Sequence, residues 1–129
     1  MASIRKEIMI NAPADKVWAA IRDVGNTHKL FAGVVTQTRL EEGARVVTFA
    51  NGMEVRELII DLDDVAKRFA YSAVGGRATH HNAALQVDAD GDASKVTWTL
   101  DFLPNEILAG IQPLVEMGSA AMKKSLEQG

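Results

Sequence analysis

The sequence predicts an α+β protein: a curved antiparallel sheet of about seven strands wrapped around one long C-terminal helix, with two short helices after the first strand. Three observations carry that expectation. Between Val34 and Leu103 apolar residues recur in twofold alternation, the repeat of strands that bury one face. Beyond Pro104 the spacing lengthens, and Leu108, Ile111, Val115, Met122 and Leu126 share one helical face. The breaks between strands, among them Glu42-Gly43, Asn51-Gly52 and Gly75-Gly76, are short enough to make hairpins, which pair strands antiparallel.

Taken in order, Ser3 to Asn11 alternates around Ile4, Ile8 and Ile10 and reads as the first strand. Ala12-Pro13 opens a short helix, with proline suited to the first helical position and Asp15 to the first turn. Its stripe is Val17, Ala20, Ile21 and Val24, with Trp18 at the edge and Gly25-Asn26 closing it. Thr27 to Gly33 reads as a single helical turn. Six strands follow: Val34 to Leu40, Arg45 to Ala50, Met53 to Leu62, Arg68 to Val74, Thr79 to Asp88 and Lys95 to Leu103. Asn51-Gly52 is the strongest turn signal, because both residues tolerate positive φ. Pro104 ends the last strand, Asn105 is a usable N-cap, and Glu106 and Lys123-Lys124 suit the helix dipole at its two ends. Such a helix, ending at about Gln128 and roughly twenty-two residues long, runs about 33 Å.

Composition limits the function classes. The 129 residues suit one domain, 1–129, able to bury a core without staples. Without cysteine there are no disulfides or thiolate metal sites, which agrees with a reducing, cytoplasmic setting. The start, Met1 to Lys6, lacks the apolar run of a secretory signal, and no stretch reaches the length of a membrane span. A formal charge of -3, with acids and bases interspersed, gives no electrostatic footprint for nucleic acid or an anionic membrane. The sequence leaves a homodimer open.

Strand parity indicates the face turned toward the long helix. In the last strand Val96, Trp98, Leu100 and Phe102 go in; before it His81, Ala83, Leu85 and Val87, and before those Phe69, Tyr71 and Ala73. The strand Met53 to Leu62 is ambiguous, because Val55, Glu57 and Ile59 share one face while Leu58, Ile60 and Leu62 share the other.

The order of elements, with Ile10-Asn11-Ala12-Pro13 running to Val17-Trp18, then Asn51-Gly52-Met53-Glu54-Val55-Arg56-Glu57, Leu62-Asp63-Asp64 and Ala70-Tyr71-Ser72, resembles the START-related superfamily. This superfamily is also called SRPBCC or Bet v 1-like, and the nearest group within it is polyketide cyclase/dehydrase and lipid transport. The resemblance covers nearly the whole chain and implies a helix-grip fold with a ligand cavity between sheet and helix. A more distant likeness, through Leu62-Asp63-Asp64, Phe69 to Gly76 and Asn82, is to plant abscisic-acid receptors. It implies that Glu57 faces the cavity, that Tyr71, Ala73, Ala83 and Leu85 line it, and that Gly75-Gly76 lies by the mouth. Gly33 stands where those receptors carry a lysine for the hormone's carboxylate, and the loop after Ala50 is shorter, so neither the hormone nor phosphatase binding is implied.

Glu57, Tyr71 and His81 are the candidate acid–base groups, a small polar patch in an apolar pocket of the sort that binds small molecules. Each has a plainer reading: Glu57 paired with an arginine or ordering water, Tyr71 in ordinary packing, His81 as a satisfied wall residue. The expected lining is Val55, Glu57, Ile59, Tyr71, Ala73, His81, Ala83, Leu85, Trp98 and Leu100 from the sheet, and Leu108, Ile111, Val115 and Met122 from the helix. Trp98, Phe102, Met117 and Met122 read equally well as core or as adaptable lining. Small residues on both layers (Ala73, Ala83, Gly110, Gly118, Ala120 and Ala121) suggest a gap between them.

His80 and His81 point to opposite faces of a strand, so they cannot chelate one ion, and no metal or other cofactor is expected. Gly75-Gly76 opens no helix and is no phosphate loop, and the serines lack a triad context. The expected function is binding of a small hydrophobic or amphipathic molecule. The alternatives are a polyketide cyclase- or dehydratase-like enzyme using Glu57 or His81, and a protein-interaction module like the superfamily's chaperone cofactors.

Overall fold

The computed structural model describes residues 1–128. Seven strands form one antiparallel sheet: β1 (Ala2–Ile10), β2 (Val35–Glu41), β3 (Ala44–Phe49), β4 (Glu54–Asp63), β5 (Arg68–Val74), β6 (His80–Asp90) and β7 (Ala93–Leu103). Helices α1 (Ala14–Arg22) and α2 (Thr27–Leu30) separate β1 from β2, and α3 (Leu108–Gln128) follows β7. The sheet order β1-β7-β6-β5-β4-β3-β2 is a hairpin meander from β2 to β7, with β1 added beside the last strand. Pairing of β1 with β7 runs from Ala2↔Phe102 to Ile10↔Ser94, so the first strand of the chain edges the sheet next to the last. This is the helix-grip architecture.

In β7, Val96, Trp98, Leu100 and Phe102 are buried while Thr97, Thr99 and Asp101 stay partly open, as clean an alternation in space as in sequence. Their neighbours in the core include Leu85 and Val87 of β6, Phe69 and Tyr71 of β5, and Val115, Met122 and Leu126 of α3. Each such side chain, fully buried, contributes roughly 1.5–3 kcal/mol of transfer free energy.

The ambiguity of β4 has a structural cause. The register against β5 shifts between Ile59 and Asp61, so Ile60 bulges out of the ladder. Val55 and Ile59, before the bulge, and Leu62, after it, all pack against the core, whereas Ile60 is 60% exposed. One extra residue switches the strand's inward parity. Both apolar sets of β4 are therefore half right.

Other elements depart from expectation locally. Asn105 does not cap α3; a single 3-10 turn, Asn105–Ile107, comes first and buries Ile107. Pro13 is the N-cap of α1 rather than its first helical residue. The buried stripe of α1 is Val17, Trp18 and Ile21, and the Trp18 indole N–H donates to Asp64 Oδ1 at 2.9 Å. Trp18 is thus core, tied to the β4–β5 turn. At Asn51-Gly52 only Gly52 takes positive φ, and Asn51 instead accepts the Met53 N–H through its side chain.

Candidate functional site

A cavity of about 360 Å³ lies between the sheet and the first half of α3. That is near the low end of the roughly 300–1,000 Å³ typical of small-molecule sites. Its sheet wall is built by the inward residues of adjacent strands: Val47 and Phe49 on β3, Val55 on β4, Ala73 on β5, Leu85 on β6, Leu100 on β7. Phe31, just past α2, closes one side, and Ile107, Gly110, Ile111, Leu114 and Val115 form the opposite wall. The β5–β6 loop, Gly75 to Ala78, contributes to the rim, and both glycines hold positive φ (83° and 69°) that a side chain would strain.

The polar groups of the lining are few and connected. Arg45 of β3 sits directly across from Glu57 of β4, and its Nε donates to Glu57 Oε1 at 2.8 Å. Both side chains are largely removed from solvent, at 5% and 12% exposure. Arg45 Nη1 donates to Thr27 Oγ1 at 2.6 Å, and the Thr27 hydroxyl donates in turn to the Val24 carbonyl at 2.9 Å. The guanidinium also lies over the rings of Phe69 and Tyr71, 4.9 and 5.4 Å from their centroids, within range for cation–π attraction. Four neighbouring groups therefore fix this cation in place.

Tyr71 accepts the Trp98 indole N–H at 3.1 Å. Burial, reinforced by the nearby Glu57 charge, pushes its phenol far above the usual range, so Tyr71 keeps its proton. His81 accepts the Ala73 backbone N–H on Nδ1 at 3.0 Å. A neutral imidazole accepting there carries its proton on Nε2. Burial first, and the adjacent His80 second, hold His81 below the ordinary histidine range, so the neutral form is favoured. The strand around it is pinned as well, since the Ser72 hydroxyl donates to the His81 carbonyl.

Of the residues the sequence singles out, Val55, Glu57, Tyr71, Ala73, His81, Leu85, Trp98, Leu100, Ile111 and Val115 line the cavity. Four do not. Ile59 sits at the β4 bulge, packed against core beyond the cavity. Ala83 is buried between Tyr71 and Leu100 in the ladder, its methyl too short to reach past them. Leu108 loses its place to Ile107, because the 3-10 turn shifts the phase of the helix start. Met122 is fully buried in the closed half of the helix–sheet interface, and Met117 is half exposed, so neither is lining.

The expected gap at Gly118 is also filled: a Cβ there would stand 3.3 Å from the Trp98 ring. Sequence reasoning missed several lining residues, among them Thr27, Phe31, Val47, Phe49, Ile107 and Leu114, and most consequentially Arg45. It shares parity with Val47 and Phe49 and faces Glu57 across the ladder, a signal obscured because charges at strand starts usually meet solvent. No cluster of three or more His, Asp or Glu able to hold a metal occurs among the described residues.

The family model for polyketide cyclase/dehydrase and lipid transport matches residues 1–129. The chain belongs to that family. No curated protein sequence matches it. Among solved structures, an uncharacterized protein of Bacillus thuringiensis superposes with a TM-score of 0.88 at 18% identity, over 97% of this chain and 98% of that one. Norcoclaurine synthase from Thalictrum flavum gives 0.75 at 20% identity, over 98% and 91%. The di-domain ARO/CYC protein BexL, of the BE-7585A biosynthetic pathway, gives 0.85 at 19%, over 98% of this chain and 47% of BexL. At such identities the likeness is one of fold, and this member of the cyclase/dehydrase and lipid transport family must be read from its own cavity. No helix among its described residues is long and apolar enough to cross a membrane.

Proposed function

We propose that this protein binds one small, mostly apolar molecule in the cavity between the sheet and the first half of α3. The observation that carries the reading is unfilled space where a core should be: a cavity of about 360 Å³, apolar over most of its wall, with a fixed polar group at its floor. Close packing is the default inside proteins, so an unfilled volume of this size costs stability, a cost that a ligand site would explain. A cavity this open also weighs against the interaction-module reading, which needs a narrow one.

N-phenyl-1-naphthylamine, a neutral fluorophore bright in apolar surroundings, tests the reading. Saturable binding at one site is expected, lost in Ala73→Phe, which fills the cavity from β5. Undiminished binding in a folded Ala73→Phe would place the probe elsewhere and overturn the proposal. Native mass spectrometry of freshly purified protein would then identify any co-purifying ligand.

His81 and Tyr71 support a second reading, catalysis of the cyclase or dehydratase type. Tyr71 keeps its phenol proton and neutral His81 carries one on Nε2, and both line the same cavity, so each could donate a hydrogen bond to a ligand carbonyl as charge develops on it. Glu57 is the weaker base candidate, because Arg45 already engages its carboxylate. Turnover of an identified ligand that survives His81→Asn and Tyr71→Phe together would exclude this reading.

A further inference from the structure

The Arg45–Glu57 pair has more hydrogen-bonding capacity than the protein uses. Arg45 spends Nε on Glu57 and Nη1 on Thr27, leaving Nη2 without a protein partner among the described residues. Glu57 accepts through Oε1 only, leaving Oε2 equally free. Neither atom is sealed, because Ser119 Oγ is the only fully buried side-chain polar atom lacking a partner among the described residues. Both residues line the cavity, which is where a ligand can reach their open atoms. The floor thus offers one donor and one acceptor side by side.

The charges at that floor cancel. Arg45 carries one positive and Glu57 one negative charge, and the half-buried His81 favours its neutral form. The only other charged residue of the lining is Arg77, exposed on the β5–β6 loop at the rim. A carboxylate entering the floor would lose its hydration and meet no net positive charge, with Glu57 repelling it at contact range. An ammonium would meet the mirror problem from Arg45. A neutral group able to accept and donate at once loses little hydration and satisfies both open atoms.

From this geometry we infer that the cavity selects an uncharged ligand, a hydroxylated or enolic ring compound with no carboxylate at its buried end, and that Glu57 sets this selectivity by cancelling Arg45. The inference rests on the ligand-binding reading of the same cavity. It makes Glu57 a specificity residue rather than a base, and it sets the protein apart from carriers of free fatty acids.

The test compares three probes of one shape, naphthalene, 2-naphthol and 2-naphthoate, by titration calorimetry at pH 7. Arg77→Gln protein is used so that the rim cation cannot hold the carboxylate. The expected result is 2-naphthol binding tighter than each of the other two by about tenfold or more, the scale of a hydrogen bond to a charged group. A smaller advantage over either competitor overturns the inference while leaving the cavity as a ligand site. No binding by any of the three overturns both readings.

Glu57→Gln then removes the cancelling charge while keeping the shape, and 2-naphthoate should overtake 2-naphthol. A folded Glu57→Gln that retains the original order overturns the role given to Glu57. The probe comparison in protein with Glu57 intact decides the ligand class whether or not that variant folds.

Discussion

The two halves of α3 do different work with similar sequence material. Beyond Val115 the helix is an anchor. Met122 and Leu126 are buried, Glu116 pairs with Lys6 of β1 at 2.9 Å, and Lys123 donates to the Met9 carbonyl at 2.5 Å. Glu127 accepts the Asn11 N–H at 2.8 Å, so the edge of the sheet is held along this half. From Leu108 to Val115 the helix is a wall. Ile111 and Leu114 are only half-buried, and Pro113 lacks the N–H that would bond the Ala109 carbonyl. One rod can thus be closed at one end and stand over empty space at the other, because stability is supplied mainly by the half beyond the cavity.

Substitutions in the two halves should separate these roles. Met122→Ala, in the anchor, should cost about 2–5 kcal/mol in urea unfolding, with probe affinity nearly unchanged. Ile111→Ala, in the wall, should cost only about 1 kcal/mol, since half its surface is already open, yet weaken N-phenyl-1-naphthylamine binding several-fold. Reversed effects would dissolve the division.

The two helix glycines sharpen it. At Gly110 an added methyl group would meet nothing within 4 Å, so Gly110→Ala should stabilise by roughly 0.5–1 kcal/mol through helix propensity alone. Gly118→Ala gains the same propensity but crowds Trp98 at 3.3 Å, with Phe31 at ordinary contact distance, 3.5 Å. It should show no net stabilisation and a shifted Trp98 emission.

The smallest effect expected is one of pH. His81 is held below its ordinary range in the folded protein, first by burial and then by His80. Below pH ~6.5 the unfolded chain therefore binds the proton more readily than the folded one. The His81 contribution is complete above that value and is lost as pH falls toward the folded pKa. Melting temperatures measured from pH 7.5 to 5 should fall less steeply in His81→Asn than in the unaltered protein.

The clean alternation of Val96, Trp98, Leu100 and Phe102 made β7 legible from sequence, and the hairpin turns made the meander legible with it. The anchor half of α3 was legible for the same reason: its period is unbroken. What sequence could not show were changes of phase. The bulge at Ile60 and the 3-10 turn before Leu108 each displace the inward residue by one, which composition does not announce. Nor could it show how far the cavity extends, so Met122 and Ala83 counted as lining when they are packed core. Arg45 escaped because a lone cation is ordinarily solvated; the facing carboxylate, the Thr27 hydroxyl and two aromatic rings make its burial tolerable.

The bulge in β4 also shapes how this sequence can change. Upstream of Ile60 the strand presents Val55 and Glu57 to the cavity; downstream it presents Leu62 to the core. The extra residue works as a clutch between two stretches that would otherwise have to stay in step. Losing it would not merely shorten a strand: either Glu57 or Leu62 would have to swing outward, trading pocket chemistry against packing. Related chains that keep both should keep the irregularity.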